Sequence, residues 1–154
     1  MESLPFYLRI EPDADIPDLS QLAPFKVMVI LEAGSSTEWR EILSERLVAA
    51  GCRYMMAWGK ECEEFHDIVD TTSLERHNYD VPDDAFIMTT WHADESLKDL
   101  FWYCQFFAEC SADEVELRDA LLIHVALIDR EAEYRELYAQ SETLAEREDD
   151  EGSV

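Results

Sequence analysis

The chain has 154 residues and a formal net charge of −24, from 36 acidic and 12 basic residues. This length fits one domain, and hydrophobic residues make up 47% of the chain, enough for a packed core and against global disorder. The charge argues against direct binding of DNA or RNA, because that needs clustered Lys and Arg to neutralise phosphates and the sequence has no such cluster.

The sequence also indicates where the protein resides. The N-terminal segment has no basic region followed by a long apolar one, so no signal peptide is predicted. No apolar stretch approaches the 18 residues that a membrane-spanning helix requires. The four cysteines form no CxxC pair. We therefore expect a cytoplasmic protein with free thiols and no membrane association.

Residues 1–24 form a lead-in in which residues 6–10 could add an edge strand before three prolines interrupt the pattern. Residues 25–31, FKVMVIL, are apolar on both faces, as in a central strand of a parallel sheet. Ser35 and Glu38 have the spacing of a capping box at the start of a helix. Gly51 is well placed to end that helix.

The next strand is predicted at residues 52–58, CRYMMAW. Within residues 60–80, apolar spacing predicts a helix to about Asp70, an interruption at Thr71–Ser73 and a further short helical turn at Leu74–Tyr79. Residues 85–91 are predicted to be a buried third strand.

An amphipathic third helix should follow and end near Cys110, because Leu97, Leu100, Phe101 and Cys104 recur at helical spacing. The fourth strand is predicted at residues 120–128, ALLIHVALI, where His124 would be a hydrogen-bonded core histidine. Asp129 would cap a last helix.

The alternation of strands and helices predicts an α/β fold with three layers, a mostly parallel sheet of about four strands flanked by helices. We assign residues 25–145 to this domain and residues 146–154 to a flexible acidic tail. The expected strand order is 2-1-3-4, with a possible extra N-terminal edge strand. This order places a topological switch point between the strands at 25–31 and 85–91, where ligands of open α/β sheets bind.

The loops expected at that point contain Glu32 after the first strand and His92, Asp94 and Glu95 after the third. Glu32, Asp94 and Glu95 could bind a divalent cation, or His92 could act as an acid or base beside Asp94. The alternative is that Asp94 and Glu95 only favour the positive end of a helix and that Ser35 only caps one. No cofactor is expected. The turn EAGSS lacks the glycines of a dinucleotide fingerprint and the GK[ST] of a phosphate loop, which argues against nucleotide binding.

Large aromatic residues suggest a possible partner interface in the same part of the chain. The candidates are Trp91, Trp102, Tyr103 and Phe106, together with Glu95. Exposed aromatics would anchor a partner while carboxylates attract its basic surface. The alternative is that these side chains belong to the core.

The segment MTTWHADES at residues 88–96, followed by an aromatic-rich helix, resembles a small uncharacterised bacterial domain family of unknown function. The resemblance covers about Phe25 to Leu127. It implies a bacterial cytosolic α/β domain, and it brings no activity and no site residues.

These observations favour an acidic, non-enzymatic binding protein, such as an immunity or antitoxin-type inhibitor of a basic effector, for example a nuclease toxin. One alternative is a small metal-assisted or acid/base enzyme with its site at the switch point. A second alternative is a dimerisation or scaffold module that uses the aromatic face of the third helix to form a homodimer.

Overall fold

The computed structural model describes residues 5–109, 117 and 119–152, with only the backbone described for residue 119 and residues 142–152. This part of the chain forms five strands and four α-helices. The strands are β1 (Phe6–Ile10), β2 (Phe25–Leu31), β3 (Cys52–Gly59), β4 (Met88–His92) and β5 (Asp119–Val125). The helices are α1 (Thr37–Ala49), α2 (Cys62–Arg76), α3 (Leu97–Phe106) and α4 (Glu131–Gly152).

All strand pairs are parallel, and the sheet order is β1-β5-β2-β3-β4. The predicted α/β class is therefore confirmed, and the possible N-terminal edge strand exists as β1. The predicted count of about four strands and the order 2-1-3-4 are corrected, because β5 lies beside β2 and β4 lies outside β3. The burial of the two strands explains this order. β4 is exposed or half-buried over most of its length, which suits an edge, whereas β5 is buried from Ala120 to Val125 between β1 and β2.

Helices cover both faces of the sheet, as the three-layer prediction requires. The chain moves in one direction from β2 through β3 to β4, so right-handed crossovers place α1 and α2 on the same face. The crossover through α3 returns from β4 to β5, which places α3 on the opposite face together with α4. The first core includes Leu43, Leu47, Phe65 and Val69 against the sheet. The second includes Leu100, Phe101, Tyr134 and Tyr138.

Two helix predictions need correction. Ser36, and not Ser35, caps α1, because its Oγ accepts a hydrogen bond from the backbone N–H of Trp39 at 3.1 Å. The carbonyl of Ser35 instead accepts a hydrogen bond from Arg40. The predicted interruption of α2 at Thr71–Ser73 is absent, since these residues lie within one continuous helix.

The third strand begins later than predicted, at Met88 instead of Ala85. Ala85 closes a short 3-10 turn that the Arg53 guanidinium group holds by hydrogen bonds to the carbonyls of Asp83 and Phe86. The fourth predicted strand ends at Val125 and not at Ile128.

Several further sequence predictions fall on the ends of the chain and on the cysteines. The predicted acidic tail, residues 146–154, begins inside α4, which extends to Gly152. Cys52, Cys62 and Cys104 are buried, and burial raises the pKa of the Cys52 thiol to about 12, which disfavours the reactive thiolate. Cys110 lies outside the described residues. No described helix is long and apolar enough to cross a membrane.

Candidate functional site

The topological switch point lies between β2 and β5, because the chain leaves these adjacent strands towards opposite faces of the sheet. The predicted switch point between residues 25–31 and 85–91 is therefore wrong. Glu32 nevertheless lies at the observed point, since it directly follows β2, which borders both the predicted and the observed switch point. Its partners there are Arg130, His124 of β5 and Tyr134 of α4. Tyr7 of β1 joins the cluster through His124.

His124 is the centre of this cluster and is fully buried. Its Nδ1 lies 2.7 Å from the Tyr7 hydroxyl oxygen. Its Nε2 lies 3.3 Å from a carboxylate oxygen of Glu32 and 3.4 Å from the Tyr134 hydroxyl oxygen. Both ring nitrogens therefore have partners, which confirms the expectation of a hydrogen-bonded core histidine.

The hydrogen bonds determine the direction of each proton in the cluster. The backbone N–H of Arg130 donates to the Tyr7 oxygen at 3.0 Å, so the Tyr7 O–H is left to donate to Nδ1 of His124. The ring proton then resides on Nε2 and points to Glu32. Burial lowers the pKa of His124 and raises the pKa of Tyr7 and of Tyr134. All three side chains are therefore neutral at pH 7.

Glu32 and Arg130 are the members of the cluster that reach the surface, with 38% and 39% of their side chains exposed. One carboxylate oxygen of Glu32 accepts from the Tyr134 hydroxyl at 3.4 Å and lies 3.4 Å from Nε of Arg130. The arrangement fixes one carboxylate at the crevice and ties β1, β5 and α4 together. Chemically it can orient that carboxylate and exchange a proton between it and His124.

The other predicted site residues lie at the end of β4 and in the turn that follows it. His92 is 5% exposed, and its Nδ1 lies 2.6 Å from a carboxylate oxygen of Glu95, while its Nε2 lies 2.8 Å from the Thr90 hydroxyl. The carbonyl of Glu95 accepts a hydrogen bond from the Trp58 indole at 2.7 Å. Asp94 has a φ of 62°, a left-handed conformation that an aspartate tolerates in a tight turn.

The predicted cation site is not assembled in this structure. β3 lies between β2 and β4, so Glu32 is separated from Asp94 and Glu95 by two strand spacings, about 10 Å. Among the described residues, no group of three or more His, Cys, Asp or Glu side chains could hold a metal ion. Asp94 and Glu95 also lie outside the first turn of α3, where the alternative interpretation placed them. Ser96 caps this helix, and Asp99 is the acidic residue of its first turn.

The predicted partner-binding aromatics do not form one patch. Trp91 is 44% exposed and its ring packs at 4.6 Å from His66, beside β4. Tyr103 is half-buried, and its hydroxyl lies 2.5 Å from that of Tyr54. Trp102 is half-buried against neighbouring aromatics, whereas Phe106 is 42% exposed at the far end of α3. Trp91, in β4 beside α2, and Phe106, at the end of α3, are therefore the two most exposed of these aromatics.

A groove between α1 and α2 was not predicted from the sequence. It is open to solvent and has a volume of about 340 Å³. Five carboxylates line it together with one aliphatic side chain and two threonines: Glu41, Glu45, Glu64, Asp67, Glu75, Ile68, Thr71 and Thr72. We call it the acidic groove. In the sequence, the groove is visible only as acidic residues at helical spacing on the solvent faces of α1 and α2. These residues come together because α1 packs against α2.

Arg40 is a buried cation that contacts the acidic groove through Glu64. Arg40 is 4% exposed, and its guanidinium group lies 2.8 Å from Glu61 and 2.9 Å from Glu64. Further hydrogen bonds run to the Ser35 carbonyl and the Thr37 hydroxyl. Arg40 thus neutralises one rim carboxylate of the acidic groove and fixes its position.

Comparison with known proteins adds one finding. No curated protein and no solved structure matches the chain. One family match covers residues 5–141, a range that contains all five strands, the acidic groove and the His124 cluster. The expectation of an uncharacterised domain family is confirmed. The chain belongs to the family described as a domain of unknown function (DUF7684).

Proposed function

We propose that this domain is a non-enzymatic binding protein whose partner is a basic protein, and that the acidic groove receives it. The observation that carries the proposal is the composition of the groove, which presents five carboxylates and no Lys or Arg among its lining residues. A net charge of −24 supports it, because so large a charge costs stability through repulsion unless a partner of opposite charge relieves it.

The groove carboxylates differ in how they are neutralised. Glu64 is paired with Arg40, but within the described residues no Lys or Arg pairs with Glu41, Glu45 or Glu75. These three side chains are exposed. A Lys or Arg of the partner would therefore gain attraction without first displacing an internal ion pair. Such charges accelerate association, and the rate should fall as salt is added.

The chemistry of the groove favours a particular class of basic partner. A nuclease binds phosphates through clustered Lys and Arg, and a carboxylate-lined groove presents the same sign of charge as the phosphates it replaces. An immunity or antitoxin-type protein that covers such a surface would block the nuclease. We therefore propose a basic effector of this kind, with Ile68 as the apolar contact among the lining carboxylates.

The test uses two variants with the same change in charge. The groove variant carries Glu41→Gln, Glu45→Gln and Glu75→Gln, and the control variant carries Asp15→Asn, Glu109→Gln and Glu136→Gln, all at exposed positions. Each is immobilised and used at low salt to capture proteins from a lysate of the native host. We expect a basic protein to be retained by the wild type and the control variant and lost from the groove variant. Equal retention by both variants would contradict the proposal.

A further inference from the structure

The outer edge of β4 is a second surface with the properties of a binding site. β4 pairs with β3 over residues 88–92, and no other described strand pairs with it. An edge strand carries backbone N–H and C=O groups that can pair with a further chain. Natural proteins usually block such edges with Lys, Pro, a bulge or a covering segment.

β4 has none of the blocking residues. Its sequence, MTTWH, contains no Lys, Arg or Pro, and its register with β3 runs without a shift. The opposite edge strand differs, because β1 carries a charged residue, Arg9, which pairs with Glu11 at 3.3 Å. Of the two edges, β4 is therefore the one built to accept another strand.

Three partly exposed apolar side chains lie on β4 or just before it. Phe86 is 39% exposed, Met88 is 38% exposed and Trp91 is 44% exposed. The Trp91 ring packs against His66 of α2, and the Thr89 hydroxyl donates to a carboxylate oxygen of Asp70 at 2.5 Å. An added strand would thus meet two side chains that already have partners, Thr89 and Trp91, and would lose little of its binding free energy to ordering them.

The surrounding charge identifies the occupant. Residues 66–99 contain nine acidic residues against two basic ones. A second copy of this chain would bring the same negative charge to the edge, whereas a segment rich in Lys or Arg would be attracted. α2 packs against both α1 and β4, so the acidic groove and this edge flank one helix. We infer that an extended basic segment of the partner adds to β4 as a sixth strand, an inference that rests on the proposed function.

The first test uses a synthetic peptide in which lysine and valine alternate, because it is basic and prone to form a strand. Its control is the same peptide with every backbone amide N-methylated, which keeps the charge and removes the hydrogen-bond donors of both edges. Amide hydrogen exchange of the full chain is measured with each peptide at low salt. We expect exchange at residues 88–92 to slow about tenfold or more with the unmethylated peptide and to be unchanged with the methylated one.

Other outcomes separate the two proposals. Protection of the acidic groove without protection of residues 88–92 would overturn the inference and leave the proposed function standing. Equal effects of the two peptides at β4 would also overturn it, since strand pairing would then be unnecessary. Binding of neither peptide would count against both.

A pair of variants supplies a second readout. Met88→Lys places a blocking charge on the β4 edge, and Phe6→Lys makes the same charge change on β1, where Phe6 is 50% exposed. We expect the affinity for the unmethylated peptide to fall about fivefold or more in the first variant and to change less than about twofold in the second. Equal losses in the two variants would overturn the assignment to β4.

Discussion

Removing the Tyr7 hydroxyl tests the hydrogen-bond network at the switch point. This hydroxyl donates to Nδ1 of His124 at 2.7 Å and accepts from the backbone N–H of Arg130 at 3.0 Å. The substitution Tyr7→Phe would leave both groups without this partner. His124 cannot compensate by moving its proton to Nδ1, because an unprotonated Nε2 would then face the carboxylate of Glu32, 3.3 Å away.

The expected cost follows from the number of groups left unsatisfied. A buried polar group without a partner costs about 1–3 kcal/mol, and the Arg130 amide lies closer to solvent than the His124 ring. We therefore expect Tyr7→Phe to lower the free energy of unfolding by about 2–3 kcal/mol. For a domain of this size that corresponds to a drop in Tm of roughly 5–10 °C.

Tyr134→Phe is the matched control, since it removes a hydroxyl that lies beside Nε2 of His124, on the other side of the imidazole ring from Tyr7. Its two contacts, to Glu32 and to His124, are both 3.4 Å long, so we expect a loss below about 1 kcal/mol. Chemical denaturation of both variants at pH 7.5 provides the measurement, and nitrogen NMR of the His124 ring should show the proton on Nε2. A loss for Tyr7→Phe below about 0.5 kcal/mol, or one no larger than the control's, would refute the reasoning.

Three further predictions concern pH, helix capping and salt. Burial lowers the pKa of His124 in the folded state. Below pH about 6.5 the unfolded state therefore binds a proton at His124 more readily than the folded state does. The free energy of unfolding thus falls as the pH drops from about 6.5 towards the pKa of the folded state. The stability difference between the wild type and His124→Gln should therefore shrink between pH 7.5 and pH 5 in denaturant titrations, and a growing difference would contradict this sign. Ser36→Ala should cost about 1 kcal/mol of unfolding free energy and Ser35→Ala less than half of that, because Ser36 caps α1; equal losses would be inconsistent with the cap. The Tm should rise when NaCl is increased from about 0.01 M to 0.5 M, because salt screens the repulsion within a chain of charge −24, and a falling Tm would refute that explanation.

The sequence predicted the elements better than their arrangement. The β2–α1–β3 unit was predicted because three local features indicate the same structure. An apolar run marks the strand, polar residues mark the start of the helix, and Gly51 marks its end. Strand order depends on which strands can be buried on both faces. β4 contains Thr89 and Thr90 at half-buried positions, and such polar residues favour an edge strand. The apolar residues around them instead led to the prediction of a buried strand.

The sites depend on that arrangement and were predicted only in part. Glu32 was expected at the switch point and His124 in the core, but their contact required knowing that β2 and β5 are neighbours. Tyr7 and Tyr134 belong to no motif and reach His124 only through tertiary packing. The acidic groove likewise depends on the packing of α1 against α2, which helical periodicity alone does not give.

The central claim, that the acidic groove attracts a basic surface, is tested most directly by titrating an oligolysine peptide into the groove variant and the control variant at low salt. The two variants carry the same net charge, so a difference between them reports on position and not on total charge. Three exposed contacts worth about 0.5 kcal/mol each predict a roughly tenfold weaker affinity for the groove variant. The control variant should bind within about twofold of the wild type. Equal affinities for the two variants would contradict the account.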